Sequence, residues 1–273
     1  MSDTNKPSIS GSVADSGSVV VTKPAPGVMR VDIEHPPLNV LTQAVRRQLG
    51  DVFLRFANDR DARCVIFGSG PRSFCAGADL GEFAQRFDPT VAAQHADNAH
   101  RMILALIELD VPVIAALRGY GLGGGFELAL GCALRVAARS AQFGLPEIDR
   151  GVWPGTGGIV LLERLVGPAV AKRVLYGGGR FGAEEALALG LVDEVIDDAA
   201  LDERALEIAV GYAAKPSGSV RTISRLVDRS FRTAFRDHLA FEHDCFVQTY
   251  RTHDAREGNR AFFERRPPVW RHD

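Results

Sequence analysis

Gly119-Tyr120-Gly121-Leu122-Gly123-Gly124-Gly125-Phe126-Glu127, with Gly144-Leu145-Pro146-Glu147 twenty positions on, is the stretch that decides how this chain is read. A glycine-rich turn bares backbone N–H groups, because no Cβ blocks their approach. One carboxylate follows the turn at once, and a second lies beyond the next strand. Backbone donors beside paired carboxylates are what proton chemistry next to a carbonyl requires. Glu127 alone reads as a first-turn residue complementing a helix dipole, and Glu147 alone as an exposed loop residue. Only their combination points to a site.

Working outward, Val113-Ile114-Ala115-Ala116-Leu117 is a continuous apolar strand leading into the turn, and Cys64-Val65-Ile66-Phe67 is another. Two short strands are expected within residues 19–33, around a turn at Pro24 to Gly27. Thr42 can cap a helix running to about Asn58. Leu134-Arg135-Val136-Ala137-Ala138 is a third short strand. Alternating strands and helices predict an α/β fold. From Gly182 onward helical patterns dominate, at residues 183–188, 201–214 and 220–252, with one strand-like interruption within residues 191–196. The expected organisation is a flexible tail over residues 1–18, a core over 19–197 and a helical C-terminal region over 198–273.

Composition removes several function classes. The 273 residues carry a net charge of −2, which gives no reason to expect nucleic acid or an anionic membrane as partner. No apolar run is long enough to span a bilayer and no signal peptide is visible, so a cytoplasmic protein is expected. The four cysteines are dispersed without a CxxC pair. The seven histidines show no metal-ligand spacing, so no metal site is expected. No G-x-S-x-G elbow is present for a serine hydrolase. Cys75 has small neighbours but no partner base for a nucleophilic role. Gly119-x-Gly121-x-x-Gly124 formally matches a dinucleotide fingerprint, although it lies mid-chain rather than opening a domain.

A second turn of small residues, Cys75-Ala76-Gly77-Ala78-Asp79-Leu80, leads into a helix that Asp79 can cap. Two such turns could supply two converging donors. Together with His35-Pro36-Pro37-Leu38-Asn39-Val40-Leu41, Gln142-Phe143-Gly144-Leu145-Pro146-Glu147, Trp153-Pro154-Gly155-Thr156-Gly157-Gly158 and the basic segment from Arg256 to Arg266, these stretches resemble the crotonase superfamily, the enoyl-CoA hydratase/isomerase family.

The resemblance implies a crotonase-like spiral of ββα units followed by a helical trimerisation region. It implies acyl-CoA thioester substrates with no separate cofactor, CoA being part of the substrate. The N–H groups of Ala78 and Gly124 would form the oxyanion hole, and Glu127 and Glu147 would be the catalytic acid/base pair. Further substrate contacts would come from Ala76, Asp79, Leu80, Gly123 and Arg265, with Arg266 beside the last. Glutamate at both positions is similar to the hydratases, which add water across a trans-2-enoyl-CoA. The alternatives are an enoyl-CoA double-bond isomerase or another crotonase-type enzyme acting on a non-fatty acyl group. A CoA-thioester binding protein without turnover and a nicotinamide dehydrogenase are rival classes. A homotrimer or a dimer of trimers is the implied assembly. Departures from the family pattern are Ile159-Val160 in place of a common Thr-Gln, Gly81 in place of a frequent lysine, and the charged pair Asp149-Arg150.

Overall fold

A computed structural model describes residues 17–70 and 72–271, so most of the expected N-terminal tail lies outside the described residues. Ser18 already belongs to the first strand. β1 (Ser18–Ala25) and β2 (Val28–Glu34) form an antiparallel hairpin. β3 (Cys64–Ser69), β4 (Val113–Leu117), β6 (Leu134–Ala138) and β9 (Glu194–Ile196) add to it in parallel, in the order β1-β2-β3-β4-β6-β9.

The continuous apolar strands are buried on both faces, as parallel strands require. Val65 and Phe67 of β3, with Ala115 and Leu117 of β4, face the main core. Their neighbours Cys64, Ile66, Ile114 and Ala116 face a second apolar layer. This is the period-two alternation of a strand with a hydrophobic partner on each side. The main-core face is covered by α1 (Gln43–Asn58) and α2 (Pro89–Ile107). Thr42 caps α1 by accepting from the Val45 amide at 3.1 Å, as its sequence suggests. Phe53, Phe67 and Phe74 meet edge to face with centroids 5.6 and 5.2 Å apart, each contact adding about 1 kcal/mol beyond area burial.

The opposite face is covered by α6 (Leu201–Ala213), whose Leu201, Ala205, Ala209 and Ala213 recur every four residues and lie on the sheet. The helical C-terminal region thus begins with a helix that belongs to the core. α7 (Ser217–Thr249) then packs on α2, and its Phe235 and Leu239 enter the main core. The helix expected over residues 220–252 is α7, and a further helix that was not expected, α8 (His253–Glu264), follows it, with Thr252 as its cap accepting from the Ala255 amide.

A second sheet of three strands was not legible as such: β5 (Tyr120–Leu122), β7 (Gln142–Gly144) and β8 (Arg180–Gly182). Three residues are too few for a period-two pattern to register. This small sheet, with α3 (Gly124–Leu130) following β5, positions the site. α4 (Gly158–Gly177), broken at Gly167 ahead of Pro168, and α5 (Ala183–Ala188) complete the fold. Among the described residues no helix is long and apolar enough to cross a membrane, and no His/Cys/Asp/Glu grouping could hold a metal ion.

Candidate active site

Backbone pairing draws the two small-residue turns together. The Cys75 amide donates to the Tyr120 carbonyl at 2.8 Å, and the Leu122 amide donates to the Cys75 carbonyl at 2.9 Å. On the other side Leu41 pairs with the same loop, donating to the Gly77 carbonyl and accepting from the Asp79 amide. In a parallel bridge of this kind Leu41 uses both its own groups, so the Ala78 N–H points away from it. The Asn39 amide group, on a residue held at φ 53°, donates to the Ser73 carbonyl at 2.6 Å and pins the start of the loop.

The second donor is Gly124. It is the first residue of α3, so its N–H is among the four that a helix leaves without an internal acceptor. Gly123 before it is held by its amide on the Gly144 carbonyl at 2.9 Å and adopts φ 51°, ψ −131°. No side chain fits there: a Cβ would lie 2.6 Å from Glu147 Oε1. This close approach is what lets Glu147 stand against the donor turn. The Gly119-x-Gly121-x-x-Gly124 spacing therefore serves a different purpose from a dinucleotide cradle. Gly121 lies in a strand paired to Cys75 and β7, and only Gly124 opens a helix.

Glu127 sits one turn into α3 and is 2% exposed. Its Oε1 accepts from both the Thr156 and Gly158 amides, each at 2.8 Å, so neither amide engages Oε2. Glu147 lies in the 3-10 turn Pro146–Arg150, carried there by β7. Its Oε2 is buried without a hydrogen-bond partner among the described residues. Burial raises both carboxyls. Glu127 is held well above the usual carboxylate range by desolvation, then by the charges of Glu147 and Glu242, against the pull of its two amides. Glu147 is pushed up to about 7 by desolvation, opposed by its own amide and by Arg150. Two such neighbours titrate as a pair, and at neutral pH the pair retains protons that exposed carboxylates would lose.

The raised values make a stability prediction. A carboxyl whose folded value exceeds its unfolded one contributes stability below the unfolded value and loses it as pH rises through the folded value. For Glu147 that window runs from 4.5 to about 7. Glu147→Gln should therefore be more stable than the wild type at pH 8, by on the order of 3 kcal/mol, and gain nothing at pH 4. Melting temperatures of the two proteins followed across pH test this, and parallel curves would refute it.

Glu242, on α7, reaches the same region from behind. Its Oε1 accepts from the Gly157 amide and pairs with His100 Nε2, each at 2.9 Å. Gly157 and Gly158 are adjacent, so Glu242 and Glu127 grip neighbouring amides of one turn. Sequence reading passed over Glu242 because α7 is charged along its length. Cys75, considered as a nucleophile, is buried with its thiol pushed up to about 12 by desolvation, so the reactive thiolate is absent at neutral pH.

One cavity of about 640 Å³ joins these groups. It is lined by Ala76, Ala78, Asp79, Leu80, Gly123, Gly124, Glu127 and Glu147, among others. Asp79 caps the 3-10 segment Leu80–Phe87 through the Gly81 amide at 2.8 Å. Arg265 is not on the cavity wall: it is exposed at the C-cap of α8. Arg266 is taken up by Glu257, which accepts from its Nη1 at 2.6 Å. Arg150 and Arg180 do line the cavity, with Arg150 stacked over Phe262 at 4.6 Å. So do two arginines that sequence reading did not select, Arg46 and Arg86.

A cavity lined by Ala78 and Gly124 together with two carboxyls of raised affinity for protons is suited to acid/base chemistry. The family model for enoyl-CoA hydratase/isomerase matches residues 24–273. The chain is 34% identical over 238 residues to the short-chain-enoyl-CoA hydratase of Clostridium acetobutylicum, covering 86% of this chain and 91% of that one. It is 34% identical over 249 residues to the carnitinyl-CoA dehydratase of Escherichia coli K12, covering 89% and 95%. Among solved structures, carnitinyl-CoA hydratase from Mycobacterium avium superposes with a TM-score of 0.83 at 31% identity, covering 93% and 98%. The chain belongs to the enoyl-CoA hydratase/isomerase family, and is an enzyme of that family with a mixed α/β fold of crotonase type.

Proposed function

We propose that this enzyme is an enoyl-CoA hydratase, adding water to a trans-2-enoyl-CoA to give the 3-hydroxyacyl-CoA without a separate cofactor. The observation that carries the reading is the pair Glu127 and Glu147, with raised proton affinity, in one cavity with the Ala78 and Gly124 amides. The thioester oxygen would accept from those two amides. It gains charge as an enolate forms, so fixed dipoles stabilise the transition state more than the ground state.

A water between the two carboxyls would be oriented by Glu127 Oε2, the oxygen its two amides leave open. Its oxygen bonds to C3 and one proton ends on C2, delivered by Glu147; the remaining proton stays as the hydroxyl hydrogen. A carboxyl with a value near 7 is matched to giving and recovering a proton at neutral pH. Enoyl isomerisation needs only one of the two acids, and nothing in the cavity favours it. Association into a trimer is part of the same proposal and is checked by light scattering.

The activity test is direct. Mixed with crotonyl-CoA and longer 2-enoyl-CoAs, the protein is expected to abolish the absorbance of the conjugated thioester, with 3-hydroxyacyl-CoA as the product resolved by chromatography. Accumulation of 3-enoyl-CoA instead, or binding without turnover across the panel, would refute hydration.

A further inference from the structure

The cavity has a cationic end that the hydration chemistry leaves without a role. Arg46 of α1 is 2% exposed, and Arg86, in the 3-10 segment, is 3% exposed. Both line the cavity that holds Glu127 and Glu147. Their donors are conspicuously unmet. Arg46 Nε and Nη1 and Arg86 Nε and Nη2 are buried with no hydrogen-bond acceptor among the described residues. The groups around them do not supply one. Glu82 Oε2 stands 3.7 Å from Arg46 Nη1, beyond hydrogen-bond reach, and its other oxygen is engaged by the Gln43 amide. Among the described residues Arg86 Nη1 reaches the Tyr250 hydroxyl, at 3.5 Å.

His95 is neutral there, because burial and then the charges of Arg46 and Arg86 hold its value well below the usual one. Its Nδ1 is 2.9 Å from the Gln43 side-chain amide. Of the two guanidinium groups only Arg46 has a carboxylate facing it, Glu82 at 3.7 Å, and Arg86 has the Tyr250 hydroxyl and the Phe83 ring beside it, which leaves positive charge at this end of the cavity. Buried charge of this kind is costly unless it is paired, and a guanidinium presents the fork that matches a carboxylate. A purely apolar acyl chain would leave those donors unmet in the complex as well.

We propose that Arg46 and Arg86 form a carboxylate-binding subsite, and that the preferred substrates are mono-CoA thioesters of unsaturated dicarboxylic acids. The inference rests on the acyl-CoA reading of this cavity and names the substrate class. The thioester carbonyl sits on Ala78 and Gly124, the C2–C3 bond lies by the two glutamates, and the distal carboxylate reaches the arginine pair. Phe83, Phe246 and Tyr250 wall the same cavity and shield the pair from water.

The test compares thioesters matched in carbon count that differ only at the far end. Calorimetric binding of glutaryl-CoA and pentanoyl-CoA to the wild-type protein needs no turnover and no variant. Glutaryl-CoA, or a longer diacid of the same series, is expected to bind more tightly by on the order of 10²-fold. Equal affinity, or preference for the methyl-ended chain at every length, overturns the inference. In the kinetic arm, glutaconyl-CoA should be hydrated with a kcat/KM on the order of 10²-fold above 2-pentenoyl-CoA.

Arg46→Met and Arg86→Met, checked by thermal melts for retained folding, should each bring that ratio down by at least about tenfold. A ratio unchanged in both folded variants overturns the assignment of these two residues. The two readings fail separately. If hydration is wrong, neither enoyl thioester turns over while the saturated pair still discriminates. If the subsite is wrong, both are hydrated at similar rates.

Discussion

Glu147→Gln is expected to lower kcat for enoyl-CoA hydration by about 10²- to 10⁴-fold, with KM changing far less. Glutamine keeps the shape of the side chain but can neither give nor recover a proton at C2. In the proposed complex the thioester would be held by backbone amides and the cavity wall, which the substitution leaves in place, so binding should persist while chemistry stops. Glu127→Gln is expected to fall into the same range by a different route. Its amide oxygen can still accept from Thr156 and Gly158, but an NH₂ group replaces Oε2, the oxygen proposed to orient the water. In the proposed mechanism the pair acts on one water, so the double variant should lose little beyond either single one. Steady-state rates with matched thermal melts check this. Near-wild-type turnover in either single variant would remove that residue from the mechanism.

Gly123→Ala should be nearly as damaging although it changes no reacting group. The residue sits at φ 51°, ψ −131°, a conformation that costs a side chain about 1 to 3 kcal/mol. The new methyl would also lie 2.6 Å from Glu147 Oε1, well inside contact distance, so the carboxylate must move. Displacement of a catalytic group by about 1 Å costs on the order of 10²-fold in rate, and the Gly124 amide next door shifts with it. The expected result is a 10²-fold or larger fall in kcat with a lowered melting temperature. Gly211→Ala provides the contrast: it lies in α6 with open space around it, and should gain up to about 1 kcal/mol of stability with unchanged kinetics. A Gly123→Ala enzyme with normal kcat would show that Glu147 is not held by this contact.

Much of the frame follows from local pattern. The β1–β2 hairpin, the Thr42 cap and the two-faced strands β3 and β4 read directly, because caps and hydrophobic periodicity are properties of neighbouring residues. What escaped is short or remote. β5, β7 and β8 are three residues each and exist because their edges find partners, not because their sequences demand a strand. α8 lies just past the last expected helix, and its start is set by the Thr252 cap rather than by an apolar run. Arg46 lies three residues before Leu49 and seven before Phe53, on the inward stripe of α1, but its charge drew no attention to it as a buried group. Packing of α1 against α2 completes its burial.

The sequence by itself determined the chemical parts of this protein: two small-residue turns that expose amides, and glutamates at 127 and 147 after them. These are local facts, since a glycine's freedom and a helix start need only a few adjacent residues. The tertiary structure decided what those parts are worth. It set the raised proton affinity of the pair, the grip of Glu242 on the turn that holds Glu127, and the charged end of the cavity. Burial and electrostatic field are sums over segments far apart in the chain, so no local pattern contains them.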